Sequence, residues 1–386
     1  MPQKQLSIFI SCGELSGDRY GAYLVKALKQ KNPNLTFFGL TGPLLEKEGV
    51  QSIGNMTALS TIGFLDPLLK IGRFLSYFSK VKKNFQKKRP DLFIAIDSQG
   101  FHVPVLKFCK KNTIKTCYFI APQEWQWGSK KGGKTICRLC NKILCIFKQE
   151  ADFYKALGGN APYIGHPLAS LYPPITDSSS KDSSKQSSSP IISLFPGSRD
   201  QEITQLTPLF FKTATLIQKQ HPDCKFSLCV ANAKDRPYFE SMKEKYKLPH
   251  LSLYFGEPKD LIEKTRLSLC CSGTITLEHA LLQKPCIVAY KFSTLSFLII
   301  RLFLLKKLRA RIGYMSLPNT ILGQKILPEF LQDEATETAL FYCANDLLSN
   351  QSKYQKLTMA LSPIFNLLYQ ENCFETAALE ILSIVD

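Results

Sequence analysis

The sequence has no run of 18 or more uncharged apolar residues, which excludes a helix that spans a bilayer. Its first residues, "MPQKQLSIFIS", lack the long apolar stretch and small-residue cleavage site of a signal peptide. Acid is scarce: 31 Asp and Glu stand against 49 Lys and Arg, a formal net charge of +18. That deficit implies an anionic partner, whether nucleic acid, a membrane surface or a phosphorylated substrate, and charge alone does not choose among them. Metal-ligand spacing is also missing. Cys137 and Cys140 form one CxxC in "TICRLCNK", but no second pair or nearby His completes a zinc set.

Cysteine itself is plentiful, at 13. The odd number, the long chain and the placement inside apolar runs such as "SLCVA" and "LSLCCSG" argue against a disulfide scaffold. Buried reduced thiols acting as small hydrophobes fit better, and they point to a reducing cytoplasm. With 386 residues, 45% hydrophobic and 11% aromatic, the chain is globular and long enough for two domains.

Strand-like apolar runs alternate with amphipathic stretches along both halves. In the first, "LSIFISC", "LTFFGL", "DLFIAID", "KTCYFIA" and "KILCIF" read as strands, with "YGAYLVKALKQK" and "VPVLKFCKKN" as helices between them. A Ser-rich stretch bounded by prolines, "YPPITDSSSKDSSKQSSSP", reads as a linker over 172–190. The alternation then restarts with "IISLFPGSR", "KFSLCVA", "LSLYFG", "LSLCCSG" and "PCIVAY" as strands, and "LFFKTATLIQKQ" and "TLEHALLQK" as helices. This spacing predicts an α/β chain of two Rossmann-like domains with parallel, doubly wound sheets, over 1–171 and 191–364. Residues 365–386 are expected to form a helix that packs back on the first domain. A ligand belongs at the carboxyl ends of the strands, in a central cleft.

Several strand-to-helix turns carry chemistry. "SLFPGSRDQEI" places Pro196, Gly197, Ser198 and Arg199 between a strand and a helix start, where backbone amides favour an anion and Arg grips phosphate bidentately. "CCSGTITLEHAL" repeats the arrangement with Ser272, Gly273 and Thr274, and Glu278 one turn on can accept from ribose hydroxyls. Ordinary capping explains either turn alone; two of them point to nucleotide phosphate. "SCGELSGDRYGA" sets Gly13, Glu14, Ser16, Gly17 and Asp18 after the first strand, as a ligand approach or as a cap. "IAIDSQGFH" ends a strand on Asp97, either a cap for the next helix or a proton acceptor. Residues 128–135, "GSKKGGKT", match the phosphate-binding P-loop pattern, but "PQEWQW" separates Gly128 from the strand. A basic surface loop is the better reading.

Two stretches suit a membrane face. "FLDPLLKIGRFLSYFSKVKKNFQKKR" (64–89) carries Leu65, Leu68, Leu69, Ile71, Phe74, Leu75 and Phe78 near helical spacing, beside a basic run. "STLSFLIIRLFLLKKLRARIGYM" (293–315) is apolar and then basic. Each reads as lying on an anionic membrane surface or as a buried helix with a charged tail.

Taken together, "GELSGD", "GPLLEKEG", "YIGHPLA", "PGSRDQEI", "SGTITLE" and "SLPNTILGQKILPEFLQ", in this order, resemble the lipid-A-disaccharide synthases. These are inverting glycosyltransferases of the two-domain GT-B type. The resemblance implies transfer of 2,3-diacylglucosamine from UDP-2,3-diacylglucosamine to 2,3-diacylglucosamine 1-phosphate, giving a β-1,6 disaccharide phosphate and UDP. It further implies no cofactor and no metal, no nucleic-acid partner, a peripheral site on the cytoplasmic face of the inner membrane, and a homodimer as the candidate assembly. Ser198, Arg199, Ser272, Gly273, Thr274, Glu278, Asn319 and Gln332 fall on the UDP side; Gly13, Glu14, Ser16, Gly17 and Asp18 fall on the acceptor side.

By the same resemblance Asp97 is the candidate general base and Arg199 is catalytic; on its chemistry His166, in "IGHP", is a rival base because imidazole titrates near neutrality, or a residue that orders the cleft. The chain also departs from the family. Asp-x-Pro-Asp-Phe-Asn is expected at 97–102, but Ser98, Gln99, Gly100 and His102 stand there, without the second carboxylate. "PQEWQWG" replaces the expected "PSVWAWR", gaining Glu124 and losing an Arg at Gly128. Competing readings are another GT-B nucleotide-sugar enzyme, such as a peptidoglycan-type GlcNAc transferase or a UDP-sugar epimerase, and a non-catalytic lipid- or nucleotide-binding descendant. A P-loop ATPase is a third.

Overall fold

The computed structural model describes residues 5–57, 67–126, 128–172, 189–291 and 314–385, with the backbone alone for 67–71. Most of the Ser-rich linker, most of the 293–315 stretch, Leu65 and Trp127 lie outside the described residues. The chain divides into two compact units, Met1–Leu171 with Leu368–Asp386, and Tyr172–Leu367.

The first unit is built on six strands: β1 (Ser7–Cys12), β2 (Thr36–Thr41), β3 (Gln51–Asn55), β4 (Leu92–Ile96), β5 (Lys115–Phe119) and β6 (Lys142–Leu144). All are parallel, in the order β3-β2-β1-β4-β5-β6. Strands β1 and β4 are apolar along most of their length because helices cover both faces, and every residue of each is buried. Phe9 sits at the middle of this core, with the ring of Phe85 at 4.9 Å and that of Phe38 at 5.1 Å, both edge-on. Burying each such ring is worth roughly 2–3 kcal/mol.

The second unit repeats the plan with β7 (Ile191–Phe195), β8 (Lys225–Cys229), β9 (Leu251–Tyr254), β10 (Leu267–Cys271), β11 (Cys286–Tyr290) and β12 (Glu329–Leu331). Their order is β12-β11-β10-β7-β8-β9, again all parallel. Phe210, Phe211, Phe226, Leu269 and Ile287 close its core. Two doubly wound parallel sheets are what the alternation predicts. β3 and β12 are the additions, both short edge strands without a continuous apolar run. All thirteen cysteines are free thiols, most of them buried.

The last helix, Cys373–Leu382, belongs to the first unit. It packs on the helix Leu15–Lys31, where the rings of Tyr23 and Phe374 lie 5.3 Å apart. At β6 the nearly buried Lys142 ammonium donates to Glu380 Oε2 at 2.5 Å, to the Glu380 carbonyl at 2.8 Å and to Ser383 Oγ at 2.6 Å. Three acceptors around one ammonium satisfy its full donor set, so its burial carries no unpaired charge.

Candidate active site

In a doubly wound sheet the strand order reverses at one point, and the two turns flanking it leave room for a ligand. In the first sheet this point lies between β1 and β4, and in the second between β7 and β10. The four turns there and the helix starts they lead into hold Gly13–Asp18, Asp97–His102, Pro196–Arg199 and Ser272–Thr274. The sequence motifs therefore meet in pairs, one pair in each unit.

In the first pair the turns are in contact. A Cβ on Gly13 would lie 1.9 Å from Ser98 Oγ, so only glycine lets the β1 turn close against the β4 turn. Asp97 (φ 53°) and Ser98 (φ 49°) are consecutive left-handed residues, and Ile120 (φ 59°) does the same at the end of β5. Each costs on the order of 1–3 kcal/mol, and such strain gathers at functional sites. The half-buried Asp97 accepts the Ser98 amide on Oδ1 at 2.8 Å. His102 is fully buried beside it, but contacts the Asp97 carbonyl (2.5 Å) and not the carboxylate.

Asp18 has a different place from the other acceptor-side candidates. Its carboxylate, 1% exposed, accepts from the amides of Gly42, Leu44 and Leu45 at 2.9–3.1 Å. It caps the helix Pro43–Lys47, and burial raises its pKa. Glu14 and Ser16 are half-buried, at the start of the helix Leu15–Lys31, and Gly13 and Gly17 are buried.

His166 is buried as well, and burial lowers its pKa to about 3. Its Nδ1 accepts the Leu168 amide at 3.1 Å, so the neutral ring carries its proton on Nε2. With its lone pair committed to the cap of the helix Pro167–Ser170, this imidazole is a donor and not a base.

The second pair departs from the expectation of open helix-start amides. Glu202, three residues into the motif, accepts from the Ser198 and Arg199 amides at 3.2 and 3.3 Å, and its other oxygen meets Arg199 Nη1 at 3.1 Å. An internal carboxylate thus already stands where an anion was expected. The signal for it is Glu at N3, the capping-box position of the helix Asp200–Gln220. Arg199 itself is exposed, its side chain at 48%. Ser272 donates to the Met315 carbonyl at 2.8 Å, Gly273 is exposed, and Glu278 Oε2 accepts from the Tyr172 hydroxyl at 2.6 Å. Gln332 follows β12 with φ 51° and is half-buried.

Asn319 is not placed to touch a nucleotide. It is wholly buried; Nδ2 donates to the Leu327 carbonyl and to Glu329 Oε1, and Oδ1 accepts from the Ile326 and Leu327 amides, all at 2.8–2.9 Å. Every position of the amide is spent inside the fold, so Asn319 shapes the loop that precedes β12. Glu329 is a residue the sequence reading missed, since an acid in "LPEFLQ" gives no sign of burial.

The P-loop pattern does not form a phosphate cradle. β5 ends at Phe119, well before Gly128, and the loop wraps a carboxylate of its own. Glu124 Oε2 accepts the Ser129 amide at 2.8 Å, and a Cβ on Gly128 or Gly132 would lie 1.8 or 2.3 Å from that oxygen. Cys137 and Cys140 are free thiols, and among the described residues neither belongs to a group that could hold a metal ion. Among the described residues one group, Cys270, His279 and Cys286, brings three ligand atoms within 4.8 Å of one another. His279, however, donates from Nδ1 to the Ile275 carbonyl at 2.8 Å and accepts from Ser268 Oγ on Nε2 at 2.7 Å. No lone pair is left for a metal, and the cluster reads as core.

The sequence matches the lipid-A-disaccharide synthetase family model over residues 8–382. The chain belongs to that family. A lipid-A-disaccharide synthase of Methylobacillus flagellatus is 33% identical over 384 residues, covering 98% of this chain and 99% of the relative. One from Pseudomonas putida is 34% identical over 337 residues, 87% of this chain and 88% of the relative.

Solved structures share the fold at low identity. A Staphylococcus aureus MnaA structure with UDP has a TM-score of 0.67 at 13% identity, covering 98% of this chain and 97% of that one. The kitacinnamycin glycosyltransferase has a TM-score of 0.60 at 13% identity over the whole of both chains. The two Rossmann-like units are thus of the GT-B architecture. As a lipid-A-disaccharide synthase family member, the chain is a glycosyltransferase of lipid A biosynthesis. Among the described residues no helix is long and apolar enough to cross a membrane.

Proposed function

We propose that the chain transfers 2,3-diacylglucosamine from UDP-2,3-diacylglucosamine to the 6-hydroxyl of 2,3-diacylglucosamine 1-phosphate, with inversion, forming the β-1,6 disaccharide phosphate and UDP. The family match over residues 8–382 carries this reading. The motif turns at the two points of strand reversal support it. The second unit takes UDP through Ser198, Arg199, Ser272, Gly273, Thr274, Glu278 and Gln332, with Asn319 holding the loop beneath. Arg199 and the helix start at Thr274 offset the charge that develops on departing UDP, without a metal.

On the acceptor side, Gly13, Glu14, Ser16 and Gly17 line the approach, and Asp18 anchors the turn from inside. Asp97 is the general base. It follows β4 on strained backbone and keeps a half-buried carboxylate, whereas the Nδ1 lone pair of His166 is already committed. Base catalysis of this kind contributes about 10²–10⁴-fold.

Docking to the anionic cytoplasmic face of the inner membrane uses the helix Pro67–Lys87, on which Leu75 is 62% and Phe74 38% exposed beside a basic run. No nucleic acid is involved, and a homodimer is the assembly to look for. Mass spectrometry of the products from UDP-2,3-diacylglucosamine and its 1-phosphate partner tests the function. A disaccharide phosphate plus UDP is expected. Epimerised sugar nucleotide, or UDP binding with no turnover, overturns it.

A further inference from the structure

We propose that His102 is a positioning residue for Asp97, holding the carboxylate in its working orientation through the Asp97 backbone. The inference rests on Asp97 being the base. The Asp97 carbonyl accepts from two side chains, the Tyr118 hydroxyl at 2.8 Å and His102 Nδ1 at 2.5 Å. Both lone pairs of that carbonyl are filled, so the peptide plane after Asp97 is fixed from two directions.

The direction of each bond fixes the tautomer. A carbonyl only accepts, so His102 Nδ1 carries the proton and Nε2 accepts from Ser11 Oγ at 2.8 Å. Ser11 is on β1, directly across from Ala95 of β4. One imidazole therefore ties β1, the end of β4 and its own helix Gln99–Lys111 together at the point of strand reversal. The left-handed pair Asp97 and Ser98 does not hold itself; a relaxed turn would swing the carboxylate away.

His102 cannot act on substrate directly. It is 0% exposed and enclosed by the rings of Phe93, Phe101 and Tyr118 at 5.5–6.2 Å. Burial lowers its pKa to about 4, so it is neutral at working pH and keeps this tautomer. An Asn at 102 would keep an N–H to donate to the Asp97 carbonyl and an oxygen to accept.

The test is steady-state kinetics of His102→Ala, His102→Asn and Tyr118→Phe, alone and on an Asp97→Asn background, with thermal melts to establish folding. His102→Ala is expected to lower kcat by about 100-fold with KM changed by less than about three-fold, because misplacement of a reacting group by ~1 Å costs that much. His102→Asn should restore kcat to within about three-fold of the parent, and Tyr118→Phe, which removes one hydroxyl, should lower it by about ten-fold. On the Asp97→Asn background His102→Ala should add nothing. A folded His102→Ala or Tyr118→Phe with parental kcat, or losses that multiply with those of Asp97→Asn, overturns the positioning role. An Asp97→Asn enzyme with near-parental turnover overturns the base reading instead, and the positioning role falls with it.

Discussion

Asn319 donates to Glu329 at 2.8 Å in a place that admits almost no solvent, since Asn319 is fully buried and Glu329 is 7% exposed. The same carboxylate accepts the Met315 amide at 3.1 Å, the Ser316 amide at 2.8 Å and the Ser316 hydroxyl at 2.5 Å. Glu329 is therefore the hub on which the "SLPN" turn is built. Glu329→Ala leaves four donors unpaired and is expected to destabilise the second unit by about 3 kcal/mol. Urea denaturation reads this as a lower midpoint; an unchanged midpoint rejects the hub.

The Arg199 side chain is 48% exposed, and the nearly buried Glu202 keeps the Ser198 and Arg199 amides as donors without it, so the fold gains little from the ion pair, about 0–1 kcal/mol. Arg199→Ala should leave the melting temperature nearly unchanged and lower kcat/KM by about 10²-fold, through lost stabilisation of departing diphosphate. UDP calorimetry should show weaker binding. Parental kcat/KM would remove Arg199 from the site.

The loop at 128–135 holds Glu124, not phosphate. Lys134→Ala should leave turnover within about two-fold of the parent, as at an ordinary surface position. Glu124→Ala should cost about 1 kcal/mol, because the Ser129 amide at the start of the helix Lys130–Leu139 loses its acceptor. Abolished turnover and a new dependence on ATP in the Lys134 variant would restore the P-loop.

Stability should peak near pH 6.5. His102, His166 and His279 are buried, and burial lowers their pKa values to about 4, 3 and 4, below the unfolded value near 6.5. Below that pH the unfolded chain takes up protons that the folded chain refuses, so stability is complete above about 6.5 and is lost as pH falls toward 4. Glu150 works the other way. Burial raises its pKa to about 8, so its contribution is complete below about 4.5 and is lost as pH rises through 8. Asp18, also raised by burial, opposes the histidines at the acid end. Three imidazoles outweigh one glutamate between about pH 5 and 6, giving a slope of roughly 2–3 kcal/mol per unit that shrinks near 6.5 as the unfolded imidazoles lose their protons, and above that the slope reverses. Melting temperatures across pH 5–8 check this; a flat profile or a maximum at pH 8 contradicts it.

The sheets were legible because parallel strands buried on both faces read as continuous apolar runs such as "DLFIAI". β3, "QSIGN", was not, because an edge strand mostly open to solvent needs no such run. The site divides the same way. The strand-to-helix turns after β7 and β10, at Arg199 and Ser272, could be placed from spacing. Partnerships across the chain could not. Nothing near Glu329 announces Asn319, and nothing near Glu124 announces the glycines that make room for it. Asp18 looked like ligand chemistry because a carboxylate beside two glycines has the same local pattern whether it meets a substrate or three backbone amides 24–27 residues away.

The helix Cys373–Leu382 closes the first unit from the far side of the second in sequence. On the ribosome, the strands of that unit emerge early, yet Lys142 has to wait for Glu380 and the face of the helix Leu15–Lys31 has to wait for Phe374. The second unit, Tyr172–Leu367, is synthesised whole in the interval. The first unit is thus begun before the second and completed after it, so the second can fold while the first still lacks its closing helix.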